Sequence, residues 1–263
     1  KITNKAWGLS AAIGDFNDDG WEDIFVANDF LDADFLYLNN GDGTFKNTVN
    51  STFEHITANS MGSDFADVNN DNKPDLVVVD MVSSDHKRSK ENMATMSTAN
   101  FQRLVDEGYH YQYMSNMLQL NLGEGVFGEI GQLSGISKTD WSWSPLLADF
   151  DNDGYKDLLV TNGIYHDLSN QDFRNQMRTN IMNRKKVTLE EAIAMMPSTK
   201  IPNQVFRNSN GYVFKPANDI WGMNESINSN GVAYADLDND GDLDLVVNNQ
   251  MEEASVYKNT QIN

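Results

Sequence analysis

The sequence predicts an all-β protein, a β-propeller built of four-stranded blades, with four blades in this chain and two mainly helical insertions. Two observations lead to this prediction. A nine-residue loop rich in Asp and Asn recurs along the chain, and each copy runs directly into a short segment of alternating apolar residues. Alternation with period 2 indicates β-strands, and recurrence of one supersecondary unit indicates a repeat architecture. The four copies, called loops 1 to 4 from here on, are residues 15–23, 67–75, 149–157 and 236–244.

Each unit is predicted to contain two β-hairpins. In the first hairpin the loop joins two strands, because apolar residues both precede and follow it. The strand after each loop has apolar residues at alternate positions, namely Ile24 and Val26, Leu76 and Val78, Leu158 and Val160, and Leu245 and Val247. The second hairpin turns at Asn and Gly residues, which favour tight turns, and its copies are 36–45, 118–127 and 205–214. Four strands in each repeated unit are typical of a propeller blade.

The repeats divide a single propeller section, residues 1–263, into blades. The fourth unit ends part-way through its second hairpin, so we interpret the chain as a section of a larger ring; a closed ring of four blades is the alternative. The expected blades are about 1–58, 59–135, 136–222 and 223–263.

Two units are longer than the others, which predicts insertions near 83–117 and 165–203. The first insertion is expected to hold a helix over 99–107. The second is expected to hold helices over 173–184 and 188–196, the latter starting at a capping box formed by Thr188 and Glu191. Because both insertions occur at the same joint of neighbouring blades, they should emerge on one face of the ring, which is a common place for binding.

Composition excludes some classes of function. The formal net charge is −20, and an acidic chain is unsuited to binding nucleic acid through its phosphates. There are no cysteines, so disulfides and thiolate metal sites are excluded. No segment approaches the roughly 18 apolar residues that a transmembrane helix needs. The first residues do not resemble a signal peptide, so any export signal is expected upstream of Lys1.

The spacing of oxygen-bearing side chains within the loops predicts calcium sites, up to four in all, one in each loop. Calcium prefers six to eight oxygen ligands supplied by flexible carboxylate-rich loops. Position 6 of each loop must turn sharply and holds Gly20, Gly154, Gly241 or, in loop 2, Asn72. A backbone carbonyl at position 7 is the other expected ligand, from Trp21, Lys73, Tyr155 and Asp242. The expected side-chain ligands at positions 1, 3, 5 and 9 are Asp15, Asn17, Asp19, Asp23; Asp67, Asn69, Asp71, Asp75; Asp149, Asp151, Asp153, Asp157; and Asp236, Asp238, Asp240, Asp244.

Two further expectations concern the strength and the role of these sites. Asn17 and Asn69 replace a charged ligand with a neutral one, so loops 1 and 2 are expected to bind calcium more weakly than loops 3 and 4. The ions are expected to be structural, because several clustered carboxylates repel one another without a cation. The alternative is that the Asp-Gly and Asn-Gly sequences form plain solvated turns.

Aromatic residues near the insertions are candidates for ligand binding. Tyr109, Tyr111 and Tyr113 alternate along the chain, as do Trp141 and Trp143, and such faces can stack on sugar rings or anchor a protein. The alternative is that they pack the insertions onto the blades. The basic runs 86–90 and 184–186 are expected to be solvated surface. The four histidines are scattered, and we find no catalytic constellation, so no catalytic residue is assigned.

The loop pattern, small-x-Asp-x-Asp-x-Asp-Gly-x-x-Asp-apolar, resembles the FG-GAP-like, or VCBS, repeats of integrin α-subunits and of many secreted bacterial proteins. Longer stretches at 21–29, 108–113, 139–145 and 230–241 resemble a bacterial surface subgroup that often carries an ASPIC/UnbV domain. The resemblance implies a seven-bladed propeller with calcium in its blades, located outside the cell or at the outer membrane of a bacterium.

Together, these features predict a non-catalytic, calcium-stabilised cell-surface module. It is expected to bind a protein or a glycan through the face that carries the insertions, either alone or as one part of a larger outer-membrane assembly. The alternative is a calcium-dependent enzyme acting on polysaccharides, similar to lyases built on propellers.

Overall fold

The computed structural model describes residues 5–30, 32–92 and 97–260. The predicted ends of the first and fourth blades (1–4 and 261–263), residue 31 and residues 93–96 of the first insertion lie outside the described residues. The strands are, in chain order, β1 (Trp7–Gly14), β2 (Asp23–Asp29), β3 (Phe35–Asn39), β4 (Phe45–Asn47), β5 (Ile56–Thr57), β6 (Gly62–Ala66), β7 (Asp75–Val79), β8 (Met81–Val82), β9 (Gln112–Tyr113), β10 (Met117–Gly123), β11 (Val126–Glu129), β12 (Asp140–Ala148), β13 (Asp157–Asn162), β14 (Gln204–Asn208), β15 (Phe214–Pro216), β16 (Ser229–Ala235), β17 (Asp244–Asn249) and β18 (Ser255–Tyr257). The helices are α1 (Val49–Thr52), α2 (His86–Glu91), α3 (Thr98–Asp106), α4 (Gly131–Ser134), α5 (Gln171–Met182), α6 (Leu189–Met195) and α7 (Asn218–Trp221).

The strands form four successive antiparallel sheets, one for each predicted blade. Their spatial orders are β1-β2-β3-β4, β6-β7-β10-β11, β8-β12-β13-β14-β15 and β16-β17-β18. Within each sheet the acidic loop joins the first two of the blade's own strands, as the alternating pattern predicts. A short parallel pair, β5 and β9, stands apart from the blades.

The sheets stack face to face, and strand β7 shows how. Its side chains alternate between two apolar clusters: Leu76 and Val78 pack against the first sheet, and Val77 and Val79 pack against the third. The strands that begin the blades, β1, β6, β12 and β16, contact one another in turn and form one edge of the stack. Radial stacking of four-stranded sheets with the first strands side by side is the β-propeller architecture. The predicted fold class is therefore confirmed.

The close approach of neighbouring first strands depends on a small residue. A Cβ atom added to Gly62 on β6 would lie 2.1 Å from the carbonyl oxygen of Trp143 on β12. The third sheet also gains a fifth strand that the sequence pattern did not predict. Strand β8 pairs with Asp140 and Trp141 at the start of β12, because the chain leaves the second sheet after Asp80 and crosses to the next blade.

Helices occupy the two predicted insertions. The helix expected over 99–107 is α3, and the helix expected over 173–184 is α5, which begins and ends two residues earlier. The capping box of α6 is present: the Glu191 N–H donates to Thr188 Oγ1 at 3.2 Å, and the Thr188 N–H donates to the Glu191 carboxylate at 2.9 Å. No helix in the described part of the chain is long and apolar enough to cross a bilayer.

The loops and the insertions lie at opposite ends of the blades. Each acidic loop precedes the second strand of its blade, whereas the insertions follow the second strands β7 and β13. The second strand of each blade runs from one face of the stack to the other. The loops therefore lie on the face where these strands begin, and the insertions lie on the face where β7 and β13 end.

Candidate metal centre

The four acidic loops have one backbone conformation. Position 4 is left-handed in every copy, with φ of 60° at Asp18, 60° at Asn70, 56° at Asn152 and 62° at Asn239. Position 6 is left-handed as well, with φ from 65° at Asn72 to 95° at Gly241. Asn, Asp and Gly are the residues that tolerate this region, so the sequence selects the turn at two points rather than one. The recurrence of Asn or Asp at position 4 was the sequence signal for this second left-handed residue.

The aspartate at position 1 organises each turn through the backbone. In loop 3 the N–H groups of Asp153 and Gly154 donate to the Asp149 carboxylate at 3.1 and 2.9 Å. The corresponding pair of bonds occurs in the other loops at 2.7 to 3.2 Å. The carboxylate at position 5 accepts the N–H of position 7 in all four loops, at 2.9 to 3.1 Å.

The aspartate at position 9 is buried and connects the two hairpins of its blade. In loop 3 the two oxygens of Asp157 accept the N–H of Phe150 at 3.0 Å and the N–H of Asn208 at 2.8 Å. The other three loops make the same two bonds. Position 9, expected to close the metal site, therefore has a demonstrated structural role beside any ligation.

Sequence reasoning missed the asparagine that faces position 9. It lies within two residues of the end of the third strand of each blade, and its side-chain amide also donates to the carbonyl at position 8 of its own loop. In two blades the same amide reaches back to the preceding blade, to the carbonyls of Val68 and Phe150. An Asn at one fixed place in every unit was the signal that could have found it. The four residues are Asn39, Asn121, Asn208 and Asn259.

Carboxylate oxygens converge in loops 3 and 4. In loop 3, oxygens of Asp149, Asp151 and Asp153, at positions 1, 3 and 5, lie within 4.8 Å of one another. In loop 4 the converging residues are Asp236, Asp238 and Asp244, at positions 1, 3 and 9. Asp151 is 8% exposed, and its Oδ1 atom is buried without a hydrogen-bond partner among the described residues. A buried oxygen without a donor is costly unless a cation or water satisfies it. These residues fit the oxygen ligand set that calcium prefers.

Burial shifts the acidity of the carboxylates in these loops. The pKa values of Asp75 and of Asp157 are raised to about 7, mainly by burial. Neighbouring loop carboxylates also raise these pKa values, and the two backbone N–H groups that donate to each carboxylate lower them. Burial and the neighbouring Asp153 also raise the pKa of Asp151. The loops thus hold carboxylates in a setting that disfavours their charge, and a bound cation would remove that cost.

Side-chain cations contact three of the loops. The Arg207 guanidinium contacts the carboxylates of Asp151 and Asp153 in loop 3, and Lys258 Nζ contacts Asp238 and, at 3.5 Å, Asp240 in loop 4. In loop 2, Lys73 Nζ lies 3.4 Å from Asp71. Loop 1 has no ion pair among the described residues.

The opposite face is organised by a buried arginine. Arg88, on α2 in the first insertion, donates from Nε to both oxygens of Asp140 on β12, at 2.9 and 2.8 Å. It also donates from Nη1 to Asp167, at the start of the second insertion, at 3.2 Å. The expectation that the whole run 86–90 is solvated surface was therefore wrong for Arg88, because a guanidinium paired with two carboxylates can be buried.

The aromatic candidates divide into two groups. Tyr109, Tyr111 and Tyr113 are 40 to 48% exposed, although Tyr113 also stacks on Phe101 of α3 with ring centroids 5.1 Å apart. Trp143 donates its indole N–H to the Gly163 carbonyl at 2.6 Å and packs against the apolar cluster between the second and third sheets. This arrangement favours the packing alternative for Trp143.

Trp141 is half-buried, and its indole nitrogen is buried without a partner among the described residues. It lies on the same face of β12 as Trp143, since the two are separated by one residue.

A buried acid near the insertion face gives a prediction on pH. Asp34 accepts the Asn28 N–H at 2.8 Å and the Ser60 hydroxyl at 2.9 Å, and burial raises its pKa to about 7. Because the pKa of Asp34 in the folded state lies above its unfolded value of 3.8, protonation of this carboxyl stabilises the folded protein. This stabilisation is complete below pH 3.8 and is lost as pH rises through 7. The amide of Asp34→Asn can accept the Asn28 N–H with its oxygen and donate an N–H to the Ser60 hydroxyl oxygen. The variant should gain stability relative to wild type over this range, by at most about 1.4 kcal/mol per pH unit.

Urea unfolding between about pH 4 and pH 8 in the presence of a chelator measures this difference. Asp32→Asn, an exposed acid two residues away, is the matched control and should parallel wild type. Parallel curves for Asp34→Asn and wild type would show that the buried carboxyl titrates normally.

The comparison with known protein families follows the same repeats. The FG-GAP-like repeat model matches residues 15–78, 108–160 and 193–247, which together cover more than half of the chain and include all four loops. The protein belongs to the FG-GAP-like repeat family. The unmatched stretches between the repeats, 79–107 and 161–192, hold most of the two insertions, so the insertions are what this FG-GAP-like repeat protein adds to the shared pattern.

Other comparisons are more distant. No curated protein gives a significant match to this FG-GAP-like repeat protein. Among solved structures, the chain is similar to an Agrocybe aegerita lectin described as specifically recognising non-reducing terminal N-acetylglucosamine. The alignment covers 92% of this chain and 47% of the lectin chain, with 15% sequence identity and a TM-score of 0.43. The chain thus spans about half the length of that lectin.

Proposed function

We propose that this protein is a non-catalytic β-propeller module, stabilised by calcium, that binds a protein or a glycan at the surface of a bacterial cell. The observation that carries the proposal is the fourfold recurrence of one loop conformation with carboxylates at fixed positions. In loop 3 these carboxylates converge within 4.8 Å and include the buried, unpartnered oxygen of Asp151. Plain turns need one or two acidic residues, not three or four at fixed positions in every blade.

The side chains at positions 1, 3 and 5 of each loop would hold the ion, together with the position 7 carbonyl. Calcium would supply the positive charge that makes these buried and clustered carboxylates favourable. The residues themselves fix the turn through their backbone hydrogen bonds, and position 9 ties the turn to the next hairpin. The ion would therefore stabilise the first two strands of each blade relative to one another.

Binding is proposed for the face that carries the insertions. The buried contacts of Arg88 with Asp140 and Asp167 hold the insertions against β12. Tyr109, Tyr111 and Tyr113 are exposed on this face. Exposed aromatic side chains on a rigid support suit both sugar stacking and protein anchoring. The acidic composition and the absence of cysteine are compatible with a location outside the cytoplasm. Extracellular modules use calcium sites with Kd of about 10⁻⁴ to 10⁻³ M.

Calcium titration tests the proposal. We expect calcium to raise the melting temperature and a chelator to lower it, with about 2.7 kcal/mol of stabilisation for each site at a calcium concentration of 100 Kd. Magnesium should stabilise less, because it requires near-octahedral sites and retains its waters. Asp19→Asn in loop 1 should weaken one calcium site in calorimetry, whereas Asp172→Asn, an exposed acid on α5, should leave all sites unchanged. An identical melting curve with calcium and with chelator would exclude structural calcium.

The same protein samples test partner binding. Binding on a glycan array, or to a surface protein, should be lost in Tyr109→Ala/Tyr111→Ala and kept in Tyr212→Ala. Tyr212 is the matched control because it is as exposed as Tyr111, at 48% each, but lies in the hairpin turn next to the loops. Turnover of a polysaccharide that one His or Tyr substitution abolishes, with folding intact, would instead establish the enzyme alternative.

A further inference from the structure

The four blades differ in two positions that change together. The residue before the asparagine of each third strand is Leu38 in the first blade and Leu120 in the second, but Arg207 in the third and Lys258 in the fourth. Loop position 3 is Asn in the first two blades and Asp in the last two. The two loops with an additional carboxylate are therefore the two that a cation from the third strand contacts, as the pairs Asn17 with Leu38, Asn69 with Leu120, Asp151 with Arg207 and Asp238 with Lys258 show.

The contacts of both cations are equivalent. Arg207 contacts positions 3 and 5 of loop 3, with Nη2 lying 3.0 Å from Asp153, and Lys258 contacts positions 3 and 5 of loop 4. Two different side-chain types thus reach the same two carboxylates from the same place on the third strand. In loop 1 a solvent-open depression of about 320 Å³ lies there instead, and its lining includes Asn17, Asp19, Leu38 and Lys46.

Counting charges at these positions explains the substitution pattern. Loops 1 and 2 carry three carboxylates at positions 1, 3, 5 and 9 and face leucine. Loops 3 and 4 carry four carboxylates there and face one cation. The net charge of this set is minus three in every blade. Other charged side chains of the loops lie outside this set, namely Asp18 and Glu22 in loop 1, Lys73 in loop 2, Lys156 in loop 3 and Asp242 in loop 4. The Asp242 carboxylate accepts a hydrogen bond from Asn152 of the neighbouring loop at 2.6 Å.

We propose that Arg207 and Lys258 are built-in counter-cations that share the carboxylates of loops 3 and 4 with the calcium ion. This inference rests on the proposed calcium sites. The counter-cation lowers the affinity of its loop toward that of a loop with three carboxylates, and it stabilises the extra carboxylate when the ion is absent. Charge count alone, which ranks loops 3 and 4 above loops 1 and 2, then overestimates the difference in calcium affinity between them.

The test replaces Arg207 with the residue of the first two blades. Arg207→Leu should tighten calcium binding at loop 3 by about tenfold, because a unit charge some 6 Å from a divalent ion opposes it by that factor in water-like surroundings. The increase should shrink at high salt, which screens the repulsion. The measurement is calcium competition against terbium(III), whose luminescence Tyr155 at position 7 of loop 3 sensitises, with loop 1 and Trp21 as the internal reference.

Three variants make the outcome specific. Arg207→Lys keeps the charge found in the fourth blade and should bind calcium like wild type. Lys215→Leu removes a charge from the residue paired with Arg207 across the sheet, which makes no ion pair with a loop among the described residues, and should have no effect on loop 3. In the Asp151→Asn background, Arg207→Leu should change the affinity much less, because Arg207 has lost the position 3 carboxylate that holds its guanidinium beside the ion.

The result separates this inference from the proposed function. Unchanged affinity in Arg207→Leu, with calcium bound at the loops, would overturn the counter-cation alone. Binding at loop 3 only after the substitution would also overturn it, since the guanidinium would then replace the ion instead of sharing its ligands. The absence of calcium binding at every loop in all variants would refute the calcium sites themselves.

Discussion

Asp157→Ala is expected to destabilise the protein by about 2–5 kcal/mol whether or not calcium is present. Asp157 is fully buried, and its two oxygens accept the N–H groups of Phe150 and Asn208. Alanine leaves both donors buried and unpaired, and each such group costs about 1–3 kcal/mol. The effect should persist in chelator, because these hydrogen bonds do not involve an ion. Urea unfolding with and without calcium measures it.

Asp153→Ala is the matched control. Asp153 belongs to the same loop but lies at its exposed position 5, so its loss should be small in chelator and larger in calcium. The two variants therefore separate a buried carboxylate that joins the two hairpins from an exposed one that is proposed to bind the ion. A smaller cost for Asp157→Ala than for Asp153→Ala in chelator would contradict this division of roles.

The local features of the fold could be predicted from the sequence. Period-2 alternation, Asn and Gly at the turns and the capping box at Thr188 all act within about ten residues, so their consequences are readable in order along the chain. Because the same pattern recurs in four units, each copy supports the prediction made from the others. Strands, loops, helical insertions and the propeller class followed from these features.

The features that could not be predicted join distant residues. Asn208 meets Asp157 across 51 positions, and Arg88 meets Asp140 across 52 and Asp167 across 79. No local periodicity selects such partners, because they depend on how the blades and insertions pack. For the same reason the basic run 86–90 suggested only solvated surface, and strand β8 was not expected to join the next blade.

The difference between the first two blades and the last two could be predicted only in part. The difference between Asn17 and Asp151 was visible in the sequence and suggested unequal calcium sites. The compensating Arg207 was equally visible, but its relation to Asp151 depends on the strand register that brings position 207 beside loop 3. Aligning the units beyond the loops themselves would have revealed the pairing.

Arg88→Met is expected to cost about 3–5 kcal/mol, because it leaves two buried carboxylates without their cation. Asp140 and Asp167 have 6% and 0% exposure, so water does not replace the guanidinium. Since Arg88 joins α2 of the first insertion to β12 and to the second insertion, the variant should also raise hydrogen exchange throughout both insertions. Arg103→Met, which breaks an exposed pair with Glu107 on α3, should cost less than about 0.5 kcal/mol.

The triple variant Arg88→Met/Asp140→Asn/Asp167→Asn decides whether charge is the cause. With no buried charge left, it should recover a large part of the stability, because replacing a whole buried ion network is often neutral. Partner binding adds a second readout. If the insertion face binds a partner as a preformed surface, Arg88→Met should weaken binding even where the protein remains folded, and the triple variant should restore it. Full binding by an Arg88→Met protein with mobile insertions would show that the partner contacts the blades and not the insertions.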